Sequence, residues 1–273
     1  SGTPQNFTVK VGGQWIPSLY TREYARIAFF KGLKNDLPGL LKPLVPYRLL
    51  WYAIMGKKET YIEALAHESF HAYQGQKAPG KLAKAEAAIA GAEDYPWHNN
   101  KSRELWQQET QMLYKAVKAE NEAKARRYAT DFLEQRKSRR KNAGLKQKHV
   151  AYEQKREWLE GLAKYAELRI GRKACESNTY QPVAPMEPIS GFHAYEKEQD
   201  FWQQQLKEVQ RISNKHGDAL FYYTGLAQAA LLCQICPGWK LKLWEPGISP
   251  ETLIKQALKM HKNSTGLSMN DHL

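Results

Sequence analysis

His67-Glu68-Ser69-Phe70-His71 has the residue types and spacing to hold a metal ion and activate water. The pattern is HExxH, in which one helical turn supplies two imidazole ligands and a carboxylate general base. Positions four apart in a helix lie about 40° apart around the axis, so His67 and His71 can aim at one ion with Glu68 on the adjoining flank. A catalytic ion of this kind needs a third protein ligand and one open position. Cysteine is a poor source of that ligand, because only Cys175, Cys233 and Cys236 exist and none adjoins a histidine. The other six histidines (His98, His149, His193, His216, His261 and His272) stand singly. A short-spaced third histidine is absent, since Lys77 occupies the place where it would fall, which leaves a distant glutamate.

The segment that must present the pair, Lys58 to Gln76, reads as an amphipathic helix. Ile62, Leu65, Ala66, Ser69, Phe70 and Tyr73 form the side expected to face the core. His67, Glu68 and His71 fall opposite, with Thr60, Ala64 and Gly75. The small residues in that row leave space for an ion and a substrate, and Gly75 suits a helix end.

The most promising distant glutamate lies in Trp158-Leu159-Glu160-Gly161-Leu162-Ala163-Lys164-Tyr165. HExxH followed many tens of residues later by WxEGxAxY resembles the gluzincin metallopeptidases, and among them the peptidase-MA-like bacterial families. That resemblance implies that Glu160 is the third ligand to one Zn2+ per chain. Tyr222-Tyr223-Thr224-Gly225-Leu226-Ala227, running on to Pro237-Gly238-Trp239-Lys240, is similar to a downstream tyrosine-glycine helix and PGW turn in those families. It implies Tyr223 or Tyr222 as the donor to an oxyanion, with Tyr165, His193 and His216 as further candidates. The resemblance covers about residues 67 to 240.

The residues themselves give Glu160 partial support. Between Lys148 and Arg172, Trp158, Leu159, Leu162, Ala166 and Ile170 make an apolar stripe with Glu160 at its border. Gly161, Ala163 and Ala166 would let this helix approach the HExxH helix. Glu157 and Glu167 are the competing acids, read as solvated charges.

The expected fold class is mainly α, gluzincin-like, with a small β element before the HExxH helix and a large helical portion after it. A single domain over 1–273 is expected, with a β/α lobe at 1–57 and metal-binding helices at 58–173. Those helices carry a charged helical insertion at 101–147, and a helical part fills 174–273. Phe7 to Ile16 reads as a hairpin around Gly12-Gly13, Pro17 to Gly32 as a helix, and Tyr47 to Ile54 as a strand. Ser102 to Asn142 reads as a helical hairpin and Asn178 to Gly191 as a proline-containing loop. Trp239 to Trp244 reads as a short strand or extended turn, Ser249-Pro250-Glu251 as a capped helix start, and the last dozen residues as a frayed tail.

The chain has 273 residues, and 42% of them are hydrophobic, enough for a buried core. It has no run of eighteen apolar residues. The odd number of cysteines does not make a disulfide framework, and Cys233-Gln-Ile-Cys236 reads as small residues at a helix end. Ser1-Gly-Thr3 looks like a processed start, and the expected compartment leans to the cell envelope or outside. Forty-one basic against 28 acidic residues give a net charge of +13, with a cluster at Arg136-Lys137-Ser138-Arg139-Arg140-Lys141. A regular helical pattern without interleaved aromatics makes that cluster a solvated helix surface and disfavours nucleic acid as a partner.

The function expected is a zinc-dependent peptide hydrolase acting on a peptide or protein substrate. Glu68 would take the proton of a metal-activated water and hand it to the leaving amine. The alternatives are a catalytically silent peptidase-like zinc-binding protein and a basic helical nucleic-acid-binding protein.

Overall fold

The computed structural model describes residues 7–36, 38, 45–55, 58–92, 94–97, 100–177, 198–211 and 217–268. The chain is mainly α-helical with one two-stranded sheet, and its contacts divide it into two compact units. The first is built from 1–76 and 166–200, the second from 77–165 and 201–273. Residues Gln147 to Glu176 are helical throughout, with one π-helical turn at Glu157–Gly161.

In the first unit, strands β1 (Phe7–Val11) and β2 (Gln14–Ser18) pair antiparallel with Val9 opposite Ile16. Gly12 and Gly13 form the two-residue turn at φ of 55° and 88°, the left-handed pair that matches strand twist. Helices α1 (Arg22–Asp36) and α2 (Tyr47–Met55) meet through Phe29, Phe30, Tyr47 and Trp51. The strand expected at 47–54 is therefore a helix: its aromatic and aliphatic residues recur at the spacing of one helical face, and Trp51 is buried among the rings. Helix α3 (Lys58–Lys77) carries the HExxH residues.

The hairpin packs on α3 at two places. Thr8 Oγ1 donates to the Glu68 carbonyl at 3.2 Å, and the Trp15 ring lies 2.4 Å from where a Cβ on Gly75 would stand. Gly75 thus admits a tryptophan rather than ending the helix, which continues to Lys77.

The second unit is a helical assembly. Helix α4 (Pro79–Ala87) is followed by a tight turn at Ala88–Ala92. The expected helical hairpin consists of α5 (Asn100–Val117) and α6 (Glu122–Asn142), the latter capped by Asn121, whose side chain accepts from the Lys124 amide at 2.9 Å. Helix α7 (Gln147–Arg156) runs into a π-helical turn, Glu157–Gly161, and on into α8 (Leu162–Glu176). Helices α9 (Glu198–Arg211) and α10 (Ala219–Ile235) follow, then the short α11 (Trp239–Lys242) and α12 (Pro250–Ser268). The extended turn expected at 239–244 is helical at its start, entered through Gly238 at φ 75°. Ser249 caps α12 as expected, its Oγ accepting from the Thr252 amide at 3.1 Å. That helix continues to Ser268 through residues expected to fray.

Helix α10 is apolar on every side and buried along almost its whole length, as a central helix must be. Tyr95, Trp106, Tyr152, Leu220 and Phe221 form an aromatic cluster against it. Side chains of this size contribute about 1.5–3 kcal/mol each on burial. Among the described residues, no helix is long and apolar enough to cross a membrane. The 178–191 loop, His98, His193, His216 and His272 lie outside the described residues.

The 136–141 cluster is not a solvated surface. Arg136 and Arg139 are 1% and 0% exposed. Arg136 reaches Glu109 at 2.7 Å, Glu157 at 2.6 Å and Glu251 at 3.2 Å. Arg139 reaches Glu109 at 2.6 Å and Glu153 at 2.7 Å, and Arg140 pairs with Glu153 and Glu251, each at 2.7 Å. Only Lys137 and Lys141 of the cluster's cations face water. A helix rich in arginine looks solvent-facing by composition, but the carboxylates that neutralise it come from four remote positions. Burial alone would lower the Arg136 and Arg139 pKa values, yet Glu109, with Glu157 or Glu153, holds both well above the ordinary range.

Candidate metal centre

His67 and His71 lie one turn apart on α3 with ring centroids 4.9 Å apart and planes at 83°. Each is 9% exposed. The helix is turned opposite to the expectation from its sequence. Glu59, Glu63, His67, His71, Gln74 and Gly75 are its buried residues, whereas Leu65, Ser69 and Tyr73 are exposed. Burying a polar face is favourable only when its groups are bonded, and the two imidazoles have such bonds.

His67 Nδ1 lies 3.1 Å from Glu167 Oε2, and His71 Nδ1 lies 2.8 Å from Gln74 Oε1. An oxygen facing each Nδ1 favours the tautomer with the proton on Nδ1 and the lone pair on Nε2. That is the tautomer a histidine needs to ligate a metal through Nε2. Glu167, read as a solvated charge from the sequence, is instead 8% exposed and orients a candidate ligand. Glu157, the other competing acid, is fully buried and paired with Arg136.

Glu160 sits in the π-helical turn, seven residues before Glu167. One ligand atom from each of His67, His71 and Glu160 lies within 4.8 Å of the other two. Two imidazole nitrogens and one carboxylate oxygen are donor types that suit a divalent metal.

Within the second unit, Glu160 has its own supports. Arg156 Nη1 approaches Glu160 Oε1 at 3.1 Å, and Arg156 Nη2 approaches Asp218 Oδ2 at 2.8 Å. Tyr152 donates to the other oxygen of Asp218. Tyr222 bonds to the Glu160 carboxyl, and burial, followed by the Glu160 charge, pushes its pKa up, so the hydroxyl stays protonated. Burial also raises Asp218.

Gly161 lies against α10. A Cβ on Gly161 would stand 2.4 Å from the Gly225 Cα, and one on Gly225 would stand 2.5 Å from the Glu157 carbonyl oxygen. The two backbones touch, and that contact places Tyr222 beside Glu160. Of the expected apolar stripe, Trp158, Leu159 and Leu162 are buried, but Ile170 is 52% exposed.

The remaining sequence candidates separate. Glu68, between the two histidines, is partly buried. The Tyr223 ring packs against the aromatic cluster, on a different side of α10 from the Tyr222 hydroxyl. Tyr165 is a core residue, packed on Trp202 and Trp239 with its hydroxyl 3.0 Å from Cys233 Sγ. His149 lies 3.2 Å from Asp94, and its Nδ1 accepts from the Lys146 amide at a helix start. Gln74 and Arg156 have no place in the sequence reading, and Glu167 enters it only as a competing acid. A signal existed: Glu167 is seven residues past Glu160, Gln74 three past His71 and Arg156 four before Glu160, all helical-neighbour spacings.

No protein-family model, curated protein or solved structure matches this chain.

Proposed function

We propose that this chain is a zinc-dependent peptide hydrolase of the gluzincin type. The observation that carries the reading is the mutual approach of His67, His71 and Glu160, drawn from segments about ninety residues apart, with Glu68 on the turn between the imidazoles. Zinc bound there would supply a Lewis acid toward a carbonyl oxygen and a water acidic enough to act near neutral pH.

The chain's own residues perform the rest. His67 and His71 present Nε2, and Glu167 and Gln74 hold the Nδ1 protons in place. Glu160 offers carboxylate charge while Arg156 engages its Oε1. Glu68 receives the proton of the attacking water on its carboxylate and delivers it to the departing amine nitrogen. Tyr222, kept protonated, is the candidate donor to the carbonyl oxygen as charge develops on it. Glu68 also argues against a catalytically silent zinc protein, which has no use for that carboxylate. The nucleic-acid reading loses Arg136, Arg139 and Arg140, which are committed to buried carboxylates.

The test is metal content and hydrolysis of a peptide library, with and without a chelator, for the wild type and Glu68→Gln. One zinc per chain in both proteins is expected, with chelator-sensitive cleavage in the wild type alone. Protein without stoichiometric metal, or cleavage that survives Glu68→Gln, would overturn the assignment.

A further inference from the structure

The π-helical turn Glu157–Gly161 is an interruption in an otherwise regular helix, and it contains Glu160. In a regular helix, residues seven apart lie nearly in line; a π turn takes up an extra residue and resets the direction of side chains within it. The direction of Glu160 therefore depends on the turn being held open. A lone widened turn has poorer hydrogen-bond geometry than the helix around it and persists when its surroundings fix it.

Those surroundings are specific. Glu157, the first residue of the turn, takes a two-pronged contact from Arg136: Nη1 donates to Oε2 at 3.0 Å and Nη2 to Oε1 at 2.6 Å. Thr224 Oγ1, on α10, donates to Glu157 Oε1 at 2.8 Å. Gly161, the last residue of the turn, is pinned against Gly225, one residue after Thr224. Arg136 is in turn held by Glu109, whose carboxylate accepts from Arg136 Nε at 2.7 Å and Arg139 Nε at 2.6 Å. Glu109 belongs to the same ionic network but lies on α5 and has no place in the turn.

We infer that Glu157, clamped by Arg136 and Thr224, is a positioning residue that holds the π-helical turn open so that Glu160 presents its carboxylate as a metal ligand. The inference rests on the metal-centre reading above. A doubly bonded guanidinium–carboxylate pair fixes orientation as well as charge, and Arg136 keeps both bonds to Glu157, with Glu251 beside it, when Glu109 is neutralised.

The experiment compares Glu157→Gln and Thr224→Val with Glu109→Gln. Thr224→Val removes one hydrogen bond to the turn and keeps the side-chain shape. Glu109→Gln disturbs the network without touching the turn. Zinc affinity is measured by competition with a chromogenic chelator at conditions where each variant is folded. Outer-shell contacts are worth about 10- to 100-fold in metal affinity, so about a tenfold loss is expected for Glu157→Gln and about threefold for Thr224→Val. Glu109→Gln should stay within about twofold of wild type at whatever cost in stability. Unchanged affinity in Glu157→Gln, or an equal loss in Glu109→Gln, overturns the inference. If Glu157→Gln does not fold, Thr224→Val is judged against Glu109→Gln by the same criterion.

Amide hydrogen exchange of 157–163 in metal-free protein is the second readout. Should the wild type take up no zinc, the metal-centre reading fails by itself. The clamp is then judged by exchange alone: faster exchange there in Thr224→Val than in Glu109→Gln supports it, and equal exchange overturns it.

Discussion

The two units bury opposite kinds of surface. The first turns Glu59, Glu63, His67, His71 and Gln74 inward, and Trp51 and Leu168 are its buried large hydrophobic residues among those described. The exposed large hydrophobics of the described residues, apart from Ile89, Leu241 and Met260, all belong to it, including Val11, Ile27, Leu49 and Leu65. The second unit has the aromatic cluster, the fully buried α10 and an ionic network in which every arginine has carboxylate partners. Stability is concentrated where apolar area and satisfied charge are buried, while the first unit buries mostly polar and ionisable side chains of α3.

The largest effect expected from this contrast is in the second unit. Arg139→Met should lower unfolding free energy by about 3–5 kcal/mol, because it breaks two fully buried ion pairs at once, leaving Glu109 to Arg136 alone and Glu153 to Arg140 alone. Denaturant unfolding followed by circular dichroism measures it, and a loss below 1 kcal/mol would contradict the network's weight. Gly225→Ala should cost about 1–3 kcal/mol, since the new methyl would stand 2.5 Å from the Glu157 carbonyl oxygen. Thermal unfolding decides that case; an unshifted midpoint would mean that the helices part without penalty.

Acid should act through the same network. Burial alone would raise the Glu153 pKa, but Arg139 and then Arg140 pull it down to about 2 from the ordinary 4.5. A lowered folded-state pKa means that the unfolded chain binds the proton more readily. The contribution of Glu153 is therefore complete above about pH 4.5 and is lost as pH falls toward about 2. Burial also opposes the charge on Glu251, yet Arg136 and Arg140 hold its pKa low, so it acts in the same direction. Unfolding free energy that stays flat from pH 5 to pH 2 would contradict both.

In the first unit the sign of interest is binding rather than stability. Glu167→Gln should weaken metal binding by about 10- to 100-fold with little change in unfolding, because it loosens the His67 tautomer and not a core. Competition titration against a chelator gives the value; wild-type affinity would remove Glu167 from the site. The smallest effect is expected at Leu65, whose side chain is 45% exposed. Leu65→Lys should stay within about 0.5 kcal/mol of wild type, as substitutions away from packed features do. A large destabilisation would mean that this face of α3 is covered.

Much of the helical architecture was legible along the chain, because local signals suffice for it. The Gly12-Gly13 hairpin, the α5–α6 pair and the Ser249 cap follow from turn and capping chemistry that acts over a few residues. The two histidines were legible as ligand types for the same reason, since helical spacing fixes His67 beside His71, whereas Glu160 came forward through the family resemblance. The α2 segment was misread as a strand because short apolar runs serve either state. The face of α3 was misread because amphipathic patterning assumes that the apolar side is the buried one.

What the sequence determined by itself is the set of side chains able to ligate and to move a proton, since identity and spacing along one helix are local properties. What only the tertiary structure decided is which remote groups complete them. Glu167 on His67, Tyr222 on Glu160, and Glu157 on Arg136 are pairings across tens of residues. A carboxylate looks the same in the sequence whether it will be solvated or buried, and its role is fixed only when folding selects which cation or donor it meets.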